Sequence, residues 1–361
     1  MSTEFRPLLA SLLAAPAARH VVVLGIDGLG HRHALAHWPQ ARTLRLTTVL
    51  PTTSSAGWLS SLTGRTVAEH GVPGVVFTDP GAAAPGRCAG RPPLIDVMRY
   101  AGPGLTPVTG NIFDDARGAG LRPLAVLGDL EAYPGAWRDA LVRGARPVTG
   151  HRFYTRGDGP YRPPSARLTA ERLRGAVSRT LAAYGGAGPC LLWCYVELDR
   201  HVHHHGYDDH VSEVLTCIGE MAADFAAAGT TVVAHSDHGL TATRHDPALA
   251  ALLDGLGREH GFAMGGAGRV RWLYPASRGP VPLARLAAVL RRELPADIAV
   301  TPTDELLPAG SLARARAGEL SLVAGGERFL TDPHYTHDHG SASPAELHTP
   351  LSTWGFEGRM R

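Results

Sequence analysis

Three aspartates, a few histidines and a run of hydroxyls have the types and spacing to do chemistry in this chain. Asp27 follows HVVVLGI, Asp199 follows LLWCYVEL, and Asp237 follows TTVVAHS. His203 stands four residues after Asp199, His238 directly after Asp237, and His339 closes an HDH triplet near the end. Carboxylate plus neutral imidazole, without thiolate, is a donor set for Zn²⁺, with Mn²⁺ or Fe as alternatives. The number of donors suffices for two ions. Two ions about 4 Å apart serve phosphoryl transfer, one lowering the pKa of a hydroxyl and the other stabilising the leaving oxygen. The hydroxyl is on hand in residues 50–64, LPTTSSAGWLSSLTG, where Thr52, Thr53, Ser54 and Ser55 stand before a small-residue, helix-compatible segment. A strand-to-helix junction collects unpaired N–H groups and the positive end of the helix dipole, so it can hold a phosphate or activate a nucleophile. Taken alone, such a run also reads as an N-cap with its neighbours, and Asp27 alone as the cap of a following helix.

The elements that must position these groups can be read in order. Residues 20–26, 191–198 and 230–234 are continuous apolar runs of the kind found in parallel strands buried on both faces. Helical patterns alternate with them, over 167–184 (amphipathic, with arginines on one face) and 211–228, so the expected fold is α/β with a mainly parallel central sheet and helices on both faces. Parallel strands end on one edge of the sheet, which is where the three acids should meet. Residues 241–338 are looser, with short strands such as VRWLYP and a helix over 281–294. They are expected to form a cap inserted into a core made of 1–240 and 339–361. Residues 80–93, rich in Gly, Pro and Ala, read as a surface loop.

Composition narrows the field. The 361 residues can bury a large core, 44% are hydrophobic and 19% charged, and the formal net charge is +2. With no dense basic run and no aromatic ladder, nucleic acid is not expected as a partner. There is no lysine at all, which with 43 Gly and 28 Pro points to a GC-rich genome rather than to chemistry. Cys88, Cys190, Cys194 and Cys217 form no CxxC pair and read as core packing. The N-terminal apolar patch lacks a basic lead, carries Glu4 and is broken by Pro16, so it reads as a first helix packed on the domain. No run reaches the length of a membrane span. A cytoplasmic protein without membrane contact is the expectation.

The ordered set VVVLGIDG, LPTTSSAGWLSSLTGR followed by EHGV, DRHVHHHG, SDHG, and HDHGS followed by HTPL resembles the alkaline phosphatase superfamily, and within it the nucleotide pyrophosphatase/phosphodiesterase branch. The resemblance spans most of the chain. It implies that Asp27, Ser54, Asp237 and His238 bind one zinc ion and Asp199, His203 and His339 the other. It implies that Ser54 is the nucleophile, forming a covalent phospho-enzyme that water then hydrolyses, on a small phosphorylated substrate such as a nucleotide. Two departures stand out. Val202 replaces the family's Gly before the histidine, at a non-ligand position, and Val75 replaces an Asn that contacts phosphate in the animal branch, so Asn111 or backbone N–H groups must stabilise the oxyanion.

Several alternatives stay open on sequence. Thr53 and Ser55 are one-residue register alternatives to Ser54. His337 competes with His339, which the following Gly-Ser favours. His201, His204 and His205 could form an adventitious metal patch, and the spacing from Asp199 favours His203 only if the turn is helical. His235, His245, His334 and His348 read as surface or supporting residues. The expected activity is hydrolysis of a phosphodiester or nucleotide pyrophosphate. A monoesterase or phosphonate hydrolase on the same scaffold is the nearest rival, and a non-catalytic zinc-binding protein the alternative from another class. No C/S-x-P-x-R setting for a sulfatase is present.

Overall fold

The residues His20–Ile26 (β1) carry apolar side chains on both faces of the strand, and all but His20 are buried. Such a strand is stable only at the centre of a covered sheet. The computed structural model, which describes residues 2–14, 20–79, 93–102, 104–107, 109–154, 161–276 and 282–356, puts it there. The other strands of this sheet are Arg42–Thr47 (β2), Arg122–Val126 (β3), Arg146–Val148 (β4), Cys190–Val196 (β5), Thr230–His235 (β6) and His348–Trp354 (β7). Their order across the sheet is β2-β7-β6-β1-β5-β3-β4. Among the described residues only β7 runs against the rest, pairing antiparallel with both β2 and β6.

Successive residues of β1 feed two cores. Val22, Leu24 and Ile26 pack with the helices His31–His37 (α1), Ala166–Tyr184 (α2) and Asp209–Ala227 (α3) on one face. Val21 and Val23 pack on the other face with Phe5–Leu13 and Ser54–Thr63. This period of two is what a doubly covered sheet requires. The register aligns the strand ends: Ile26 pairs with Val196, and Gly25 with His235. Asp27, Asp199 and Asp237 therefore leave the sheet at one edge, joined by the main-chain bonds Asp27 N to Val196 O and Asp199 N to Asp27 O.

A second sheet, antiparallel throughout, forms within residues 241–338 from Phe262–Ala267, Val270–Pro275, Leu320–Ala324 and Ile298–Pro302, in that order. Helices Pro247–His260 and Leu283–Glu293 cover it with Leu249, Leu253, Leu286 and Leu290. The two places where this segment leaves and rejoins the main sheet pair with each other, Thr241 with Asp338 and Ala242 with His337. Cys190 and Cys194 are buried and Cys217 half-buried, each as a free thiol. Cys88 and the Gly/Pro/Ala-rich loop, apart from Pro93, lie outside the described residues. The stretch 64–75 contains a short helix, Val67–His70, opened by a Thr66/Glu69 capping box.

Candidate metal centre and nucleophile

Ser54 opens the helix Ser54–Thr63, with Thr53 in extended conformation before it. Small residues make this a poor helix by propensity, so packing must hold it. Gly57 shows how: a Cβ there would stand 2.9 Å from the carbonyl oxygen of Asp237. The helix lies directly on the turn that carries Asp237 and His238. Trp58, one residue on, is fully buried and donates its indole N–H to Asp27 Oδ2 at 3.1 Å, where the Tyr195 hydroxyl also donates.

At this end of the site Ser54 Oγ donates to Asp27 Oδ1 at 3.3 Å and lies 3.1 Å from His238 Nε2. The same Nε2 stands 3.5 Å from Asp27 Oδ1 and 3.2 Å from Asp237 Oδ2. His238 Nδ1 sits 3.2 Å from Gly239 O, a partner that needs the proton on Nδ1. Nε2 then presents a lone pair to two carboxylate oxygens. Asp237 Oδ2, fully buried, has no hydrogen-bond partner among the described residues. Burial pushes the Asp237 carboxyl well above its usual range, with the Asp27 and Asp199 charges adding to the effect. Burial likewise holds His238 down at about 4, against the pull of Asp27. Lone pairs converging in a dry site without a counter-charge are what a divalent cation satisfies, and Asp27, Asp237 and His238 have ligand atoms within 4.8 Å of one another.

The other end is built by Asp199–His205 (a helix, as the Asp199/His203 spacing requires) and by the return segment before β7. Asp199 Oδ2 and His203 Nε2 are 3.7 Å apart. His203 Nδ1 is 2.9 Å from His337 O, and His339 Nδ1 is 2.7 Å from Thr52 O. All three imidazoles thus donate through Nδ1 to a main-chain carbonyl and leave Nε2 for a ligand, the orientation that metal-binding histidines adopt. The His238 and His339 rings stack at 3.8 Å, and Asp199 groups with both within 4.8 Å. Gly28, at φ +74°, makes the crowding possible, since a Cβ there would stand 2.4 Å from that of Asp199.

The structure separates the alternatives left by the sequence. Thr53 and Ser55 are buried and bond each other at 3.2 Å, whereas Ser54 faces the cluster. His337 lends its carbonyl to His203 and belongs to none of the ligand groups among the described residues. His201 faces Asp208 at 3.0 Å, and its ring is stacked between those of His205 and His210. His204 stacks on Tyr161. His235 is a core residue, stacked on Phe5 at 3.6 Å and 3.2 Å from Ser61 Oγ. His245 lies 2.7 Å from Thr331 O through Nδ1, while His334 and His348 line two different pockets.

Asn111 requires a correction. It is fully buried as the N-cap of Ile112–Gly118, its Oδ1 accepts from Phe113 N and Asp114 N, and its Nδ2 donates to Arg143 O. The Asn111 side chain is thus taken up by the chain. Val75 is half-buried and its carbonyl accepts from Val97 N. Sequence reasoning missed Asp338, which groups with His203 and His339. It approaches His203 on the Nδ1 side, at 3.8 Å, and accepts from the main-chain N of His339 at 2.8 Å. Its place between two histidines was the one available signal. A cleft of about 780 Å³ opens over Asp199 and His203, walled by Tyr133, Tyr161, Tyr335, Arg200, His204 and Asp332. No pattern in the sequence marked these walls.

Comparison with known proteins agrees with this geometry. The family model of type I phosphodiesterase/nucleotide pyrophosphatase matches residues 21–342. No curated protein sequence matches the chain. Among solved structures, murine ectonucleotide pyrophosphatase/phosphodiesterase 5 is similar at 17% identity, with TM-score 0.64, covering 94% of this chain and 89% of that one. An inactive form of the murine protein in complex with AMP gives TM-score 0.63 at 17% identity, covering 92% and 87%. Phosphonoacetate hydrolase from Sinorhizobium meliloti 1021, in complex with phosphonoacetate, gives TM-score 0.65 at 16% identity, covering 94% and 90%.

Proposed function

The chain belongs to the type I phosphodiesterase/nucleotide pyrophosphatase family, within the alkaline phosphatase superfamily, and is a phosphoric ester hydrolase; from that premise we propose that it cleaves phosphodiester or nucleotide pyrophosphate bonds through a covalent phospho-serine on Ser54. The observation that carries this reading is the position of Ser54 Oγ, 3.1 Å from His238 Nε2 and 3.3 Å from Asp27 Oδ1 at the start of a buried helix. Asp27, Asp237, His238 and Ser54 would hold one divalent ion and Asp199, His203 and His339 a second, zinc being the metal this donor set favours over Mn²⁺ or Fe. When bound, such ions supply positive charge that favours the serine alkoxide and neutralises the phosphoryl oxygens.

The protein's own groups account for the remaining requirements. The Ser54 proton passes to solvent as Oγ takes the alkoxide form, Asp27 Oδ1 being the oxygen left for the ion, and the N–H groups at the helix start face the phosphoryl oxygens. The Ser54 Oγ–phosphorus bond forms as the bond to the leaving oxygen breaks, and that oxygen departs into the cleft beside Asp199 and His203. Water then forms the new phosphorus–oxygen bond as Oγ is released. Residues 241–338, as a cap, and the aromatic walls of the cleft would select the leaving group. The murine relative's complex with AMP supports a nucleotide as that substrate.

Steady-state assay with a nitrophenyl phosphodiester tests the reading. Ser54→Ala is expected to lower kcat at least about 10³-fold with metal content unchanged. Turnover surviving in that variant, or metal binding without turnover in the wild type, would overturn it. Phosphonate hydrolysis is a second reading, favoured by the likeness to phosphonoacetate hydrolase. Release of phosphate from phosphonoacetate, in place of diester cleavage, would select it.

A further inference from the structure

A second pocket, of about 220 Å³, is lined by Gly30, His31, Arg32, His33, Arg45, Tyr207, Leu240, Pro344, Ala345 and His348, with no acid among them. Arg45 lies on β2, where Leu44 and Leu46 alternate toward the core and so turn Arg45 to the opposite face, the side of α1. Arg32 and Arg45 are exposed, and neither makes an ion pair or a side-chain hydrogen bond among the described residues.

The wall behind these cations is rigid. His33 stacks on Tyr207 at 3.7 Å with the rings 10° apart. The Tyr207 hydroxyl donates to Gly28 O at 2.7 Å and accepts from Leu240 N at 3.0 Å. The guanidinium groups act on the imidazoles beside them: His31 is held below its usual pKa by burial and then by Arg45 and His348, and His33 by burial and then by His37 and Arg32, to about 4, so that His33 is a neutral hydrogen-bonding group beside the two guanidinium charges. A preformed pocket with two unpaired guanidinium groups, three imidazoles and no carboxylate matches the charge and fork geometry of a tetrahedral oxyanion.

We infer that this pocket is a binding site for phosphate, or for the phosphate group of a small organic phosphate, separate from the candidate metal centre. The pocket shares no lining residue with the cleft over Asp199 and His203. Its ligand needs neither Ser54 nor the ligand carboxylates.

Calorimetric titration of the metal-loaded protein with inorganic phosphate, and separately with AMP, tests this. Two classes of site are expected in the wild type. One persists in Ser54→Ala and is weakened at least about tenfold in Arg32→Ser/Arg45→Ser, while that double variant keeps the wild-type kcat/KM toward the nitrophenyl diester. Both arginines are exposed, so folding should survive, and Arg45→Glu alone should abolish the same class as an independent check. Tighter binding of phosphate than of AMP at this class assigns free phosphate as the ligand, and the reverse assigns an organic phosphate. A single class in the wild type with both ligands, or a second class that survives the arginine substitutions, overturns the inference.

Discussion

The two ends of the ligand array are built differently. Asp27, Asp237 and His238 are at most 1% exposed, and each is held by main chain or by a buried aromatic group. Asp199, His203 and His339 are 7–8% exposed; Asp199 and His203 stand at the floor of the cleft, with Tyr335 stacked on His203 at 4.1 Å. The sealed end belongs to the sheet and to the Ser54 helix, so its geometry is fixed by the core. The open end borrows one histidine from the segment that returns from residues 241–338. On the proposed function, the sealed end would carry the reaction chemistry and the open end the choice of leaving group.

This contrast is most sharply tested by removing one carboxylate from each end. Asp237→Asn at the sealed end is expected to lower kcat by about 10³-fold or more and to halve the bound metal. The same change removes a buried acid pushed toward protonation, so the metal-free variant should be no less stable than the metal-free wild type. Paired activity, metal analysis and thermal melts would check it. A metal-free variant that melts well below the wild type would mean that the carboxylate is structural and that the sealed end is not strained for a cation. Asp199→Asn at the open end should lose about 10²-fold, with the sealed-end metal retained. Equal losses of metal and rate in the two variants would remove the distinction.

The sealed end was also the more legible one. Two of the three strand-end acids, Asp27 and Asp237, belong to it; all three can be read from runs such as HVVVLGI because a strand buried on both faces has a continuous apolar signature, and the sheet then brings the ends together. The hydroxyl run could be singled out because the acids and histidines supplied its activator, while the choice of Ser54 within it came from the family resemblance; the four serines and the glycine of SSAGWLSSLT weaken its helical propensity. Less could be read where tertiary context decides. Asn111 looked available for a ligand because an N-cap and a phosphate contact ask for the same side chain. Asp338 was hidden between two histidines that drew the attention. The reversed direction of β7 and the pairing of the second sheet depend on long-range contacts that no local pattern encodes, and Tyr161 and Tyr335 reach the cleft from loops with no periodicity.

Those aromatic walls give the next test of the open end. Tyr161 stacks on His204 with ring centroids 5.1 Å apart and faces the cleft. Tyr161→Ala should raise KM by about tenfold for a substrate with an aromatic leaving group, the cost of one stacking contact. It should leave kcat and the KM of a methyl ester nearly unchanged. Comparing nitrophenyl and methyl diesters reads this directly. A matching change for both esters would mean that Tyr161 supports the fold of the cleft rather than gripping the leaving group.

The smallest effect concerns what stands behind the sealed end. His70 is buried; its Nδ1 accepts from Val72 N at 3.2 Å, which leaves the Nε2–H to donate to Ser60 Oγ at 3.0 Å, on the Ser54 helix. Burial holds His70 down at about 3. The unfolded chain takes up this proton below about pH 6.5, whereas the folded chain refuses it until about pH 3. The contribution is therefore complete above pH 6.5 and falls by about 1.4 kcal/mol for each pH unit below it. Other buried histidines share this behaviour, so the wild type must be read against His70→Gln. In urea unfolding, the stability difference between the two is expected to shrink by about 1.4 kcal/mol between pH 7.5 and pH 5.5. A difference that does not move with pH would show that His70 takes up its proton as readily in the fold as in the unfolded chain, and that the helix carrying Ser54 does not rest on a neutral, dry support.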